Sequence, residues 1–247
     1  MRFWIPALAL TTLLAACGQP GPIAAPPPGA AEPADRPLPV ATAPLPPAGL
    51  DPATQAMVTR GIARLDSMKT VQGHVVFEET RDGKRETGKA KIAFRNKPFA
   101  GRVEIEQSGR WLAAGGGVVW KGGSELKVRP LKLPFSLSFA TDHSQVVSLR
   151  GYRMDQTDLF SMAKVLRAPG AQIRPLGPRR VRSEDLFLLE VRSSASVAGI
   201  EREVIGLHQQ HLIPAYREMY QGGQMVHRGQ GINLSFDRPV DDDQFDI

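Results

Sequence analysis

The sequence predicts a mainly β, α+β fold: one large curved antiparallel sheet with helices covering its concave face. Three observations lead there. Apolar residues recur at every second position through most of the chain, glycine-bearing turns separate the runs, and only two stretches switch to helical spacing. Roughly ten strands in antiparallel series make a sheet wide enough to curl or split. Two amphipathic helices are then the elements available to cover its hollow side.

The first helix opens at Asp51-Pro52, an N-cap followed by proline at the first helical position. Val58, Ile62 and Leu65, with Met57, Gly61 and Met68 alongside, keep helical spacing to near Lys69. The period then falls to two. Val75, Phe77 and Glu79 alternate with His74, Val76 and Glu78 up to Arg81-Asp82-Gly83-Lys84, where Asp-Gly signals a hairpin. The returning strand sets Ala90, Ile92 and Phe94 on one face and Lys89, Lys91 and Arg95 on the other.

Val103 and Ile105 alternate with Arg102, Glu104 and Glu106 before a turn at Ser108-Gly109. Trp111-Leu112 and Val118-Val119-Trp120 flank a glycine run, and Lys121-Gly122-Gly123 leads into Leu126 and Val128. The stretch 133–139 (Leu133, Phe135, Leu137, Phe139) is apolar at alternate positions but contains Pro134, which suits either an edge strand or a loop with exposed apolar groups. A second helix over residues 157–167 carries Leu159, Met162, Ala163 and Leu166 on one stripe and stops at Pro169. Four strands follow, over 186–192, 200–207, 213–220 and 224–236, with Gly222-Gly223 turning the last hairpin.

Ahead of this domain stands Cys17, the only cysteine in 247 residues. Residues 3–16 form an apolar run after Arg2, shorter than the ~20 residues that span a bilayer as a helix. A charged start, an apolar stretch and small residues at its end describe a secretory signal peptide over residues 1–16. Leu14-Ala15-Ala16-Cys17 resembles the lipobox of bacterial lipoproteins, which implies cleavage before Cys17 and a covalent lipid on it. An acylated Cys17 leaves no thiol for a disulfide, a thiolate metal site or a nucleophile. Gly18 in place of aspartate implies sorting to the outer membrane, with the protein lipid-anchored and facing the periplasm.

Residues 17–50 form a tether. From 18 to 50 there are eleven prolines, and Glu32, Asp35 and Arg36 are the charged side chains. Such a stretch cannot bury enough apolar surface to order itself, and fully extended it reaches on the order of 100 Å. The domain at 51–247 holds 29 basic and 23 acidic residues. They are scattered, which excludes a nucleic-acid footprint and suits an anionic lipid surface.

No nucleophile elbow, Gly-rich phosphate loop, His-Glu-x-x-His pair or calcium loop is present, so neither an enzyme nor a metal or cofactor site is expected. His208 and His211 read as a turn whose spacing does not bring them onto one face, and Asp241 to Asp243 as an exposed acidic turn. Arg179, Arg180 and Arg182 form a basic cluster in a solvated loop, within reach of lipid headgroups. Phe77, Phe94, Trp120, Phe135, Phe139, Phe160 and Phe187 fall mostly at inward positions, as core or as the lining of a cavity.

From residue 55 onward the order of elements resembles the bacterial lipoprotein-carrier superfamily, the LolA/LolB-like fold. The resemblance lies in residues 62–68 with 73–77, in the glycine-led strand from Gly88 to Arg95 with its Lys97-Pro98-Phe99, in the central helix at Asp158 to Ala163, and in the closing Asp243-Gln244-Phe245. It implies an unclosed barrel with helices as a lid over an apolar cavity for the acyl chains of lipoproteins or other lipids. The lining would include Phe77, Ile92, Phe94, Val103, Ile105, Trp120, Phe160 and Met162, and Arg95 or Lys97 would take the position of the family's gating basic residue. Implied partners are lipid acyl chains or lipoproteins, the membrane through the anchor, and a periplasmic carrier protein. The rival reading is an interaction, scaffold or envelope-stress-sensing lipoprotein whose barrel is filled.

Overall fold

The computed structural model describes residues 50–108, 115–130 and 133–247. Cys17, the expected signal peptide and tether up to residue 49, and Trp111 and Leu112 lie outside the described residues. Helix α1 (Pro52–Ser67) begins as expected: the Asp51 carboxylate accepts from the N–H groups of Ala53 and Thr54 at 3.1 and 3.0 Å, with Pro52 in the first turn. At its other end Asn96 donates to the carbonyls of Asp66 and Met68 at 3.1 and 3.0 Å, satisfying acceptors that the helix leaves open.

Eleven strands follow: β1 (Thr70–Arg81), β2 (Lys84–Arg95), β3 (Ala100–Ser108), β4 (Gly117–Trp120), β5 (Glu125–Arg129), β6 (Leu137–Ala140), β7 (Gln172–Val181), β8 (Glu184–Arg192), β9 (Arg202–His208), β10 (Pro214–Gln221) and β11 (Gln224–Phe236). They form one antiparallel sheet in the order β6-β5-β4-β3-β2-β1-β11-β10-β9-β8-β7. Two meanders are therefore joined where the first strand pairs with the last, Val76 opposite Gln230 and Glu79 opposite His227. The sheet does not close, and its two free edges, β6 and β7, are consecutive in sequence.

That topology explains where the helices lie. The connection through residues 141–171 must run from one edge of the sheet to the other, and it carries α2 (Met154–Thr157) and α3 (Leu159–Arg167). The main core holds Val58 and Leu65 of α1, Leu159, Met162 and Val165 of α3, and Ile92, Leu189, Val191, Ile205 and Leu207 of the sheet. Gly61 of α1 lets the helix approach the connection between β9 and β10: a Cβ there would stand 2.5 Å from the Leu212 carbonyl oxygen. A smaller cluster on the outer face, Ala93, Ala100 and Val119, is covered by Phe245 of the closing 3-10 turn (Asp242–Phe245).

Three details depart from the sequence reading. The expected helix over 157–167 is broken at Asp158, whose carboxylate caps α3 by accepting from Ser161 N–H at 2.6 Å. Strand β7, with Pro175, Gly177 and Pro178, holds Arg179 and Arg180 of the basic cluster that the sequence reading places in a solvated loop. As an edge strand with an irregularity between Pro175 and Gly177, it can leave proline nitrogens unpaired. The stretch 133–139 divides between the two forms expected of it: β6 starts at Leu137, while Leu133 and Phe135 precede the strand with exposures of 38% and 54%.

Candidate ligand cavity

Between the concave face and the cross-over connection lies a cavity of about 270 Å³. Alternation on β1, β2 and β3 sends Val75 and Phe77, Ala90, Ile92 and Phe94, and Val103 and Ile105 into it. Val118 and Leu126 extend this wall, and Leu159 and Met162 of α3 face it. The segment Gln145–Ser148 crosses as a strap.

Two glycines make the wall what it is. Gly88 lies opposite Phe77 and Gly101 opposite Phe94. A Cβ at Gly88 would overlap the Phe77 ring, and one at Gly101 would come within 2.6 Å of the Phe94 ring. Each ring therefore lies down on the neighbouring strand instead of standing across the cavity. The sequence reading noted Gly88 only as the start of a strand and did not single out Gly101; a glycine one strand away from an inward aromatic residue was the available signal for both.

The structure brings six of the expected lining residues together on the cavity: Phe77, Ile92, Phe94, Val103, Ile105 and Met162. Trp120 and Phe160 are on the same side of the sheet but do not line it. They pack on either side of Phe99, at ring-centroid distances of 4.9 and 5.7 Å, and Phe160 meets Phe94 at 6.4 Å. Trp120 also donates its indole N–H to the Gly123 carbonyl at 2.9 Å. Aromatic edge-to-face contacts thus hold both at the cavity's flank.

Arg95 points away from the cavity, as alternation with Phe94 requires. It donates to the Pro98 carbonyl at 3.1 Å, pairs with Asp242 and lies over the Phe245 ring at 5.1 Å. Lys97 is exposed in the turn after β2. Neither basic residue reaches the strap, because β2 directs Arg95 to the outer face and ends before Lys97.

Two buried polar groups on the cavity wall are each built around an ion pair, while Glu86, Ser108, Gln145 and Gln230 add further polar positions to the lining. At one, Glu79 accepts from or shares a proton with His227 at 2.8 Å and accepts from Arg150 N–H at 3.2 Å. Burial pushes the Glu79 carboxyl up, but hydrogen bonding and charge from His227, helped by Ser148 and Arg150, hold it below its usual range. Arg150 ties the strap down by donating to Tyr152 Oη at 2.9 Å and to the Thr80 carbonyl at 2.7 Å.

At the other, Arg217 forms a two-pronged pair with buried Glu203 at 2.6 and 2.9 Å. It also donates to the Gln156 carbonyl at 2.7 Å and to Ser161 Oγ at 3.0 Å, which fixes the α2–α3 junction onto β10. Asp158 faces the cavity beside this group. Burial pushes its carboxyl up to about 6, against the opposing pull of Ser161 N–H, Lys164, the Ser161 hydroxyl and Arg217.

The histidines that spacing was expected to separate are adjacent, with ring centroids 4.9 Å apart. His208 uses Nε2 toward Glu184 at 3.3 Å, and its Nδ1 accepts from the Gln210 backbone N–H at 3.2 Å. Among the described residues no group of three potential metal ligands converges.

The sequence matches no protein-family model and no curated protein. Among solved structures it is similar to MucB, at 16% identity and a TM-score of 0.51, over 81% of this chain and 64% of MucB. It is also similar to the Mycobacterium tuberculosis lipoprotein LppX (13% identity, TM-score 0.49, 78% and 99% of the two chains) and to a LolA superfamily protein from Nitrosomonas europaea (13%, 0.36, 77% and 96%). The chain spans less than two thirds of MucB, and what it shares with MucB is the fold: the unclosed antiparallel half-barrel anticipated from the sequence.

Proposed function

We propose that this protein is a membrane-anchored lipid-binding protein of the bacterial envelope that shields an acyl chain in the cavity under its strap. The observation that carries this reading is the continuous, mostly apolar concave surface formed by Val75, Phe77, Ile92, Phe94, Val103 and Ile105, with its Glu79–His227 and Arg217–Glu203 groups internally paired. An apolar cavity stays dry and gains from an apolar guest. At about 270 Å³ it lies at the small end of ligand pockets, which favours one chain at a time over several. The lipobox-like Leu14-Ala15-Ala16-Cys17 and the proline-rich tether support an outer-membrane anchor and a periplasmic domain, with a lipoprotein or a lipid as cargo and a soluble carrier as exchange partner.

Native mass spectrometry of the full chain, extracted from membranes in mild detergent, tests the proposal. Wild type should carry co-purifying lipid. Ile105→Trp, which fills the half-buried end of the wall, should lower occupancy by about tenfold or more through overpacking, with the circular dichroism of the wild type retained. A folded wild-type chain without lipid, or equal loading of the variant, overturns it.

A second reading, docking of a partner protein, is favoured by Leu133, Phe135 and Leu137, which are 38%, 54% and 44% exposed at the β6 edge. MucB itself has been solved in complex with MucA.

A further inference from the structure

A second concavity of about 470 Å³ lies where β1, β2 and β11 meet the β7–β8 turn, and it carries a cluster of cations that the cavity lacks. Arg85, Lys89, Arg182 and Arg228 line it with Glu78 as the single carboxylate, alongside Thr87, Gln107 and Gln230. These cations come from three distant parts of the sequence. Arg182 is brought in by curvature: in sheet order β9 and β10 separate β8 from β11, yet both sides of its turn are bonded to β11. Gln230 Nε2 donates to the Val181 carbonyl at 2.9 Å, and Asn233 N–H donates to Glu184 at 3.2 Å.

The groove continues an outer-face series of alternating charges. Arg174 and Arg202 reach Glu190 at 2.8 and 3.4 Å, Arg228 reaches Glu218 at 3.2 Å, and Arg85 reaches Glu78 at 2.8 Å. Lys89 pairs with Glu106 at 3.0 Å. Arg182, exposed at the tip of its turn, has no ion pair among the described residues and leaves the positive charge in excess. Gln230 adds a second requirement. It is 2% exposed, its amide nitrogen is committed to Val181, and its Oε1 has no hydrogen-bond partner among the described residues. An unsatisfied buried acceptor calls for a donor from a guest.

We infer that this outer groove binds a phosphoester bearing a hydroxylated group, the phosphate set among Arg182, Lys89 and Arg85 and a hydroxyl donated to Gln230 Oε1. Arginine is suited to the phosphate because its planar fork meets two oxygens at once. The same chemistry is offered by the headgroup of an anionic glycerolipid and by a free sugar or glycerol phosphate. Phe77 and Gln230 belong to the lining of both concavities, but the inference does not depend on the acyl-chain reading.

Calorimetric titration of the detergent-solubilised full chain with inorganic phosphate, glycerol phosphate and short-chain phosphatidylglycerol tests it. Glycerol phosphate should bind about fivefold or more tighter than inorganic phosphate, the gain from the hydroxyl on Gln230. The rim double variant Arg182→Ala/Lys89→Ala should weaken glycerol phosphate by about tenfold or more, and added salt should weaken the wild type. Tighter binding of the short-chain lipid, lost in the same double variant, supports the site and identifies a lipid headgroup; equal binding supports it and identifies a free phosphoester. No binding of either phosphoester, equal affinity for inorganic and glycerol phosphate, or full affinity in the double variant overturns the inference.

Discussion

Asp158 shows how one residue can serve two ends. Its carboxylate caps α3, and the same position breaks the run of helix expected over 157–167. Burial raises its folded pKa from 3.8 to about 6, so the folded chain holds the proton more tightly than the unfolded chain. Stability should therefore fall as pH rises from about 4 to about 6. Glu79 works in the opposite sense: its depressed pKa gives stability that is present above 4.5 and lost as pH falls. Asp158→Asn keeps a cap acceptor and should remove the Asp158 slope. Urea unfolding across pH 4 to 7 would show it, and an unchanged slope would refute the assignment. The sequence displayed the apolar stripe of α3 but not the break, because Asp158 reads as one more polar position until Ser161 and the cavity surround it.

At the scale of elements, side chains from distant strands decide what local periodicity could not. Arg217 reads as an ordinary charge in an alternating strand, yet it anchors the α2–α3 junction and neutralises Glu203, whose side chain is 0% exposed. Arg217→Met should cost about 3–5 kcal/mol by leaving that carboxylate buried without its partner. Adding Glu203→Leu should restore much of the loss, and urea midpoints of the two variants would decide. Strands β1, β2, β3 and β5 were legible because apolar residues alternate along them, and glycine marks the turns after β1, β4 and β10. Strand β7 was not, since Pro175, Gly177 and Pro178 spell a loop wherever an edge position is not known in advance. The inward set was legible for the same reason as the strands, whereas Trp120 and Phe160 needed Phe99, a turn residue, to explain where they rest.

For the whole molecule, order along the chain was readable and the joining of the two meanders was not. Nothing local in Val76 or Gln230 says that first and last strands pair, yet that pairing makes one sheet of two meanders. The proposed anchor belongs to this scale too. Cys17→Ser should move the protein from the membrane fraction to the soluble periplasmic fraction and abolish incorporation of labelled palmitate; continued membrane association of the variant would count against lipidation at Cys17. The connection through residues 141–171, by joining the two free edges, stands to the sheet as a string stands to a bow. Curvature and cavity height are then coupled: a guest thick enough to lift the string draws the two edges of the sheet together, and a sheet that flattens pulls the string taut across the guest. Arg150, which fastens the string near Thr80, is the knot through which such a load would pass.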